Sequence, residues 1–95
     1  MAHRLDLEMA LSPEEFRRLL LGAVGSPFVE GPDGVYLGGE APRRWTLRLV
    51  ELPDFRSGRL SLSRHRVELR LEGYAPAEAE AFLARFHRGF LRGGG

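Results

Sequence analysis

The stretch from Arg59 to Gly73 constrains the fold more than any other part of the chain, because apolar and polar residues alternate along it nearly without error. Alternation with a period of two marks strands that are half buried against a core. Leu60 and Leu62 share one face, and Val67, Leu69 and Leu71 repeat the pattern, so the segment reads as a β-hairpin. A reversal at Arg64 and His65 sets Leu62 opposite Val67 and Leu60 opposite Leu69. A slip of one residue would turn every leucine into water, so this register is strongly specified. The open face of the expected hairpin carries Arg59, Ser61, Ser63, Arg66, Glu68, Arg70 and Glu72.

Upstream, Leu5, Leu7, Met9 and Leu11 alternate with Arg4, Asp6, Glu8 and Ala10, which predicts a first strand with one wet face. A helix start follows. Ser12 and Glu15 form a capping box, and Pro13 sits in the first turn, where its missing N–H costs nothing. Phe16, Leu19, Leu20, Ala23 and Val24 fall on one side of that helix, Gly25 closes it, and Leu21 lies off the stripe. Phe28 to Glu30 and Val35 to Leu37 flank Gly31-Pro32-Asp33-Gly34, a turn composition that makes them a short hairpin. In the next strand Trp45, Leu47 and Leu49 point inward and Arg44, Thr46, Arg48 and Val50 outward. The parity fails around Val50, Glu51 and Leu52, so Leu52 to Gly58 reads as a longer connection, with either a bulge or a second apolar surface implied. From Ala75 the period becomes helical, with Ala79, Phe82, Leu83, Phe86 and Phe90 on one stripe. Glu78 and Glu80 near its start and Arg85, Arg88 and Arg92 near its end agree with the helix dipole.

Ninety-five residues make one domain, assigned here to residues 1–92 with a flexible glycine tail over 93–95. All fourteen basic residues are arginine, and lysine, isoleucine, asparagine, glutamine and cysteine are absent. The missing cysteine excludes disulfides and thiolate metal sites and fits a cytoplasmic location. The missing asparagine and glutamine lean toward a hot-living source. No apolar run approaches the roughly 20 residues of a membrane span, and no membrane partner is expected. A formal net charge of +1 gives no global attraction to nucleic acid, so any such binding requires a local patch.

These elements predict an α+β two-layer sandwich: an antiparallel five-stranded sheet with two helices on one face, in the order β-α-β-β-β-β-α. The phenylalanine stripe of the last helix is expected to meet Trp45, Leu47, Leu60, Leu62, Val67 and Leu69. As a topology, the order resembles half of the TATA-binding-protein saddle, and more distantly the helix-grip and ferredoxin-like folds. That resemblance spans the whole chain but rests on element order, so it implies no function.

No catalytic constellation is visible. His3, His65 and His87 lie in different elements without metal-ligand spacing and are expected at the surface. The serines lack a nucleophile-elbow context, and the glycine pairs do not precede a helix as a phosphate loop requires. Neither enzyme activity nor a catalytic, cofactor or metal site is expected, which leaves the surfaces. Pairing Leu49 with Leu60 and Leu47 with Leu62 gathers Arg44, Arg48, Arg59, Arg66 and Arg70 on one face, where they can hold phosphates of a nucleic acid. That arrangement sets Arg59 against Arg70, a repulsive placement an anion relieves. Val50, Leu52 and Phe55 are not needed by the core and form a candidate self-association patch. A homodimeric interaction module, joined there or at a sheet edge, is the primary expectation. Nucleic-acid binding is the second, and a small-molecule cavity lined by Trp45 and Tyr36 the third.

Overall fold

The computed structural model describes residues 2–94, with side chains for residues 3–90. Seven elements follow one another: β1 (Ala2–Met9), α1 (Pro13–Val24), β2 (Phe28–Glu30), β3 (Val35–Gly38), β4 (Arg44–Ser57), β5 (Leu60–Glu72) and α2 (Pro76–Gly94). The strands form one antiparallel sheet in the spatial order β1-β5-β4-β3-β2, so the fold is an α+β sandwich with the expected element order. Among the described residues, no helix is long and apolar enough to cross a membrane.

Local chemistry sets the boundaries of α1. Ser12 accepts from the Glu15 backbone N–H, the Glu15 carboxylate accepts from the Ser12 N–H, and Gly25 ends the helix in the left-handed region. Both helices lie on one side of the sheet. Phe16, Leu20, Ala23 and Val24 of α1 and Ala79, Phe86 and Phe90 of α2 are buried against Tyr36, Trp45, Leu47, Val67, Leu69 and Leu71. The two helices touch closely because residue 89 of α2 is glycine. A methyl group there would sit 2.5 Å from the Cα of Ala23. Glycine in a helix interior costs about 1 kcal/mol against alanine, and here that glycine is the contact surface between the helices. The backbone of α2 continues through Gly93 and Gly94, which the sequence assigns to a flexible tail; Gly95 and the Arg92 side chain lie outside the described residues.

The central hairpin is where the fold departs from expectation. Residues 60–72 form one continuous strand and do not reverse at Arg64 and His65; counted as two strands they would have made six in the sheet. The true reversal is a two-residue loop at Gly58 and Arg59, between the paired residues Ser57 and Leu60. Gly58 at φ 58° takes the first loop position, as a type II′ turn requires. Residues 52–57 of the presumed connection form the distal part of β4, and Gly58 opens the turn.

This correction moves two leucines across the sheet. Along one uninterrupted strand, positions 60 and 62 have opposite parity to 67, 69 and 71, so the two sets face opposite sides. Val67, Leu69 and Leu71 are buried under the helices, whereas Leu60 and Leu62, expected in the core, are exposed on the outer face. The cross-strand partners of Leu47 and Leu49 are Leu69 and Val67, not Leu62 and Leu60.

β4 adapts through a bulge. Its register shifts by one residue between Leu52 (opposite Arg64) and Phe55 (opposite Leu62). Two residues, Pro53 and Asp54, thus face Ser63 alone, and proline, which has no N–H to give the ladder, is accommodated there. The extra residue flips the parity of β4, so Phe55 returns to the side that Val50 and Leu52 already occupy.

Candidate interaction surface

The helix layer stops at the cross-strand row formed by Met9, His65 and Glu51. His65 is buried there, and its Nδ1–H donates to the Leu11 carbonyl at 2.8 Å, tying β5 to the junction between β1 and α1. The expected surface position of this histidine at a hairpin tip is therefore corrected: it lies in mid-strand, under the end of the core. His3 sits at the opposite end of β1, opposite Leu71, and His87 is on α2, so the three histidines do not converge. Among the described residues, no group of histidines and acids is placed to hold a metal ion.

Beyond this row the two long strands continue as an arm without a second layer. Every residue from Pro53 to Ser63 is exposed. The projection explains a radius of gyration of 13.8 Å and a long axis of 48 Å against 27 and 21 Å for the other two. A chain of this length packed evenly would have a radius near 12 Å. On the outer face of the arm, cross-strand pairing brings Leu52, Phe55, Leu60 and Leu62 together, continuous with Val50 at its base. Phe55, Leu60 and Leu62 are 47%, 53% and 40% exposed. The candidate residues Val50, Leu52 and Phe55 thus share one surface, and Leu60 and Leu62 join them. Sequence parity held the signal for those two, since 60 and 62 are out of phase with 67, 69 and 71, but the assumed reversal absorbed it.

The arginines occupy the outer face of the body. Arg44 and Arg48 of β4 and Arg66 and Arg70 of β5 are all there, and β1 and β5 add Arg4 and Arg64. The same face holds Asp6, Glu8, Glu68 and Glu72, so six arginines against four acids leave a surplus of two. Each acid is held by one arginine: Arg4 with Asp6 at 3.5 Å, Arg64 with Glu8 at 3.1 Å, Arg66 with Glu68 at 3.4 Å and Arg70 with Glu72 at 4.0 Å. These are solvent-facing pairs worth a few tenths of a kcal/mol each at most about one. Arg44 and Arg48 have no carboxylate within the same reach among the described residues.

Arg59 does not belong to this group. It lies in the turn at the tip of the arm, on the order of 35 Å along the strand from Arg70, because the turn falls at residue 58 and not at 64. The residue facing Arg70 on β1 is Arg4, and on β4 it is Thr46. Arg4, Arg48, Arg70 and Thr46 ring a shallow hollow of about 260 Å³ that Glu68 also lines.

Trp45 and Tyr36, the residues expected to line a ligand cavity, are buried in the core among other rings. Tyr36 lies 5.7 Å from Phe16 and 5.7 Å from Phe28, and Trp45 lies 6.2 Å from Phe28 and 6.3 Å from Phe82, all between ring centroids. Aromatic side chains therefore occupy the space between sheet and helices at this point.

No model of a known protein family matches the chain, and no curated protein matches it in sequence.

Proposed function

We propose that this chain is a non-enzymatic interaction module that joins copies of itself through the outer face of the β4–β5 arm. The observation that carries this reading is a two-stranded ribbon with no second layer, whose four large apolar side chains, Leu52, Phe55, Leu60 and Leu62, all face one way. Such a ribbon is marginal in water without a layer behind it, and contiguous apolar surface of this kind marks a contact site. A second copy suits the surface because the outer-face positions between Leu52 and Leu62, namely Phe55, Ser57 and Leu60, carry no charge. Two arms related by a two-fold axis meet apolar to apolar and keep Arg59 and Arg64 at the rim.

Phe55→Asp combined with Leu62→Asp tests the reading by light scattering across a concentration series. Full burial of a large side chain contributes about 1.5 to 3 kcal/mol; these two are about half exposed in the free arm and each occurs twice in a two-fold dimer, so the pair is expected to weaken association by roughly 10²- to 10⁴-fold. The circular dichroism of the variant should match that of the parent, because neither residue touches the helices. A parent that is monomeric at high concentration, or a variant that associates as well as the parent, removes the arm from the mechanism.

A second reading has one observation of its own, the hollow ringed by Arg4, Arg48 and Arg70, which suits a phosphate of a nucleic acid. Arg4 and Arg70 are each paired with an acid, so among the described residues the charges without a carboxylate partner are Arg48 in the hollow and Arg44 further along the same face of β4. Two such charges give a log–log salt slope of about −1.8, and raising salt from about 50 to 200 mM should weaken binding roughly 12-fold. Arg44→Ala with Arg48→Ala should abolish that slope in a fluorescence-anisotropy titration; a slope unchanged by the pair of substitutions contradicts the reading. Two such charges support only weak binding, and among the described residues the exposed aromatic ring on this side of the sheet is Phe55, out on the arm and not beside the hollow, so self-association is preferred.

A further inference from the structure

The edge of the sheet at β1 is open to pairing and lies on the body of the fold, away from the tip of the arm. β1 is paired along its entire length on one side, from Ala2 opposite Glu72 to Met9 opposite His65. Its other side has no strand partner among the described residues, because β1 is the end of the strand order. Proteins usually shorten, bend, charge inwardly or cover such an edge to prevent pairing. The opposite edge follows that rule, since β2 has only three residues. β1 is eight residues long and has neither proline nor bulge, and the charges it carries, Arg4, Asp6 and Glu8, are of mixed sign, so they can match those of a second copy as well as repel them. Leu5, Leu7 and Met9 are only half buried on its helix side, next to an apolar cleft of about 330 Å³ lined by Leu7, Met9, Leu11 and Phe90.

We infer that β1 pairs antiparallel with β1 of a second copy, with the two-fold axis at Leu5, to make a continuous ten-stranded sheet. The charge pattern selects this register. For the helix-side residues of both copies to stay on the helix side, the axis must pass through a residue of the strand. Centred at Arg4, the pairing sets Arg4 against Arg4; centred at Asp6, it sets Asp6 against Asp6; centred at Leu7, it sets Asp6 against Glu8. Centred at Leu5, it sets Arg4 of each copy against Asp6 of the other, places Leu5 on Leu5 and leaves no like charges opposed. Among registers that pair at least five residues of the strand, this one alone avoids a like-charge pair. The axis sends the two arms to opposite ends of the joined sheet, so the edge contact and the arm contact do not overlap.

Charge exchange and cross-linking on the full chain test the inference together. In the Phe55→Asp, Leu62→Asp background, where the arm contact is removed, Arg4→Asp alone and Asp6→Arg alone should each weaken edge association by on the order of 10-fold, read by analytical ultracentrifugation, because each opposes two like pairs across the axis. The double variant R4D/D6R should restore it. The chain has no cysteine, so Leu5→Cys introduces the sole thiol. On oxidation Leu5→Cys should yield a covalent dimer, and Leu7→Cys should not, since residue 7 lies about 13 Å from its own symmetry mate, beyond the roughly 7 Å a disulfide spans. Cross-linking should persist in the Phe55→Asp, Leu62→Asp background, where loss of the arm contact leaves the edge intact. Equal cross-linking at positions 5 and 7, or a charge swap that fails to restore association, overturns the register; loss of edge cross-linking in the arm variant overturns its independence.

Discussion

Trp45→Ala should cost about 3 to 5 kcal/mol, at the upper end of what a single truncation removes. Trp45 is 1% exposed and packs between Phe28 and Phe82. Its indole lies flat over Gly38, the cross-strand neighbour on β3, where even a methyl group would come within 2.4 Å of the ring. With no side chain at position 38 to move into the gap, the cavity left by truncation stays open. Domains of this size typically have about 5 to 15 kcal/mol of stability, so the variant should be unfolded or close to it at the low end of that range. The measurement is urea denaturation followed by far-ultraviolet circular dichroism, since the chain's only tryptophan is the one removed. Trp45→Phe is a useful control. The indole N–H is buried without a hydrogen-bond partner, so phenylalanine relieves an unsatisfied donor while it loses volume, and it should cost clearly less than alanine. If alanine and phenylalanine cost the same, the ring is not the packing centre proposed for it.

Gly89→Ala should also destabilise the protein, although alanine favours a helix by about 1 kcal/mol over glycine. The added methyl would lie 2.5 Å from the Ala23 Cα, 2.7 Å from its Cβ and 3.0 Å from its backbone nitrogen. Backbone atoms of α1 cannot swing aside as the tip of a side chain would. The helices must separate, and they carry the stacked rings of Phe16 and Phe90 with them, now 5.0 Å apart. Overpacking of this kind typically costs about 1 to 3 kcal/mol or more, which outweighs the gain in propensity. A fall in melting temperature of several degrees, roughly 4 to 8 °C per kcal/mol in a domain this small, is the expected reading. A rise in melting temperature would mean that the helices do not meet at residue 89.

The two predictions probe opposite sides of one core, and what the chain could reveal about that core was uneven. Both helices were legible because their signals are local: a capping box at Ser12 and Glu15, a glycine after Val24, and apolar stripes with helical spacing. The short hairpin over 28–37 was equally legible, since Pro32, Asp33 and Gly34 state the turn in their own backbone preferences. The candidate surfaces were half legible. Val50, Leu52 and Phe55 stood out as apolar residues that the core did not need, and Arg44, Arg48, Arg66 and Arg70 do share one face. Arg59 was misplaced for the same reason that Leu60 and Leu62 were: the position of one turn.

That error has a physical origin. Alternation along a strand reports which positions are covered, and a change of phase between Leu62 and Val67 has two possible causes. The chain can reverse, or it can run straight on while its cover moves from one side of the sheet to the other. The local sequence is the same in both cases. Residue chemistry by itself determined both helices, β1, the short hairpin and the inward face of the body, because each depends on neighbours within a few positions. The tertiary structure decided the rest: the helix layer ends at His65, so the same two strands bury one face in the body and present the other on the arm.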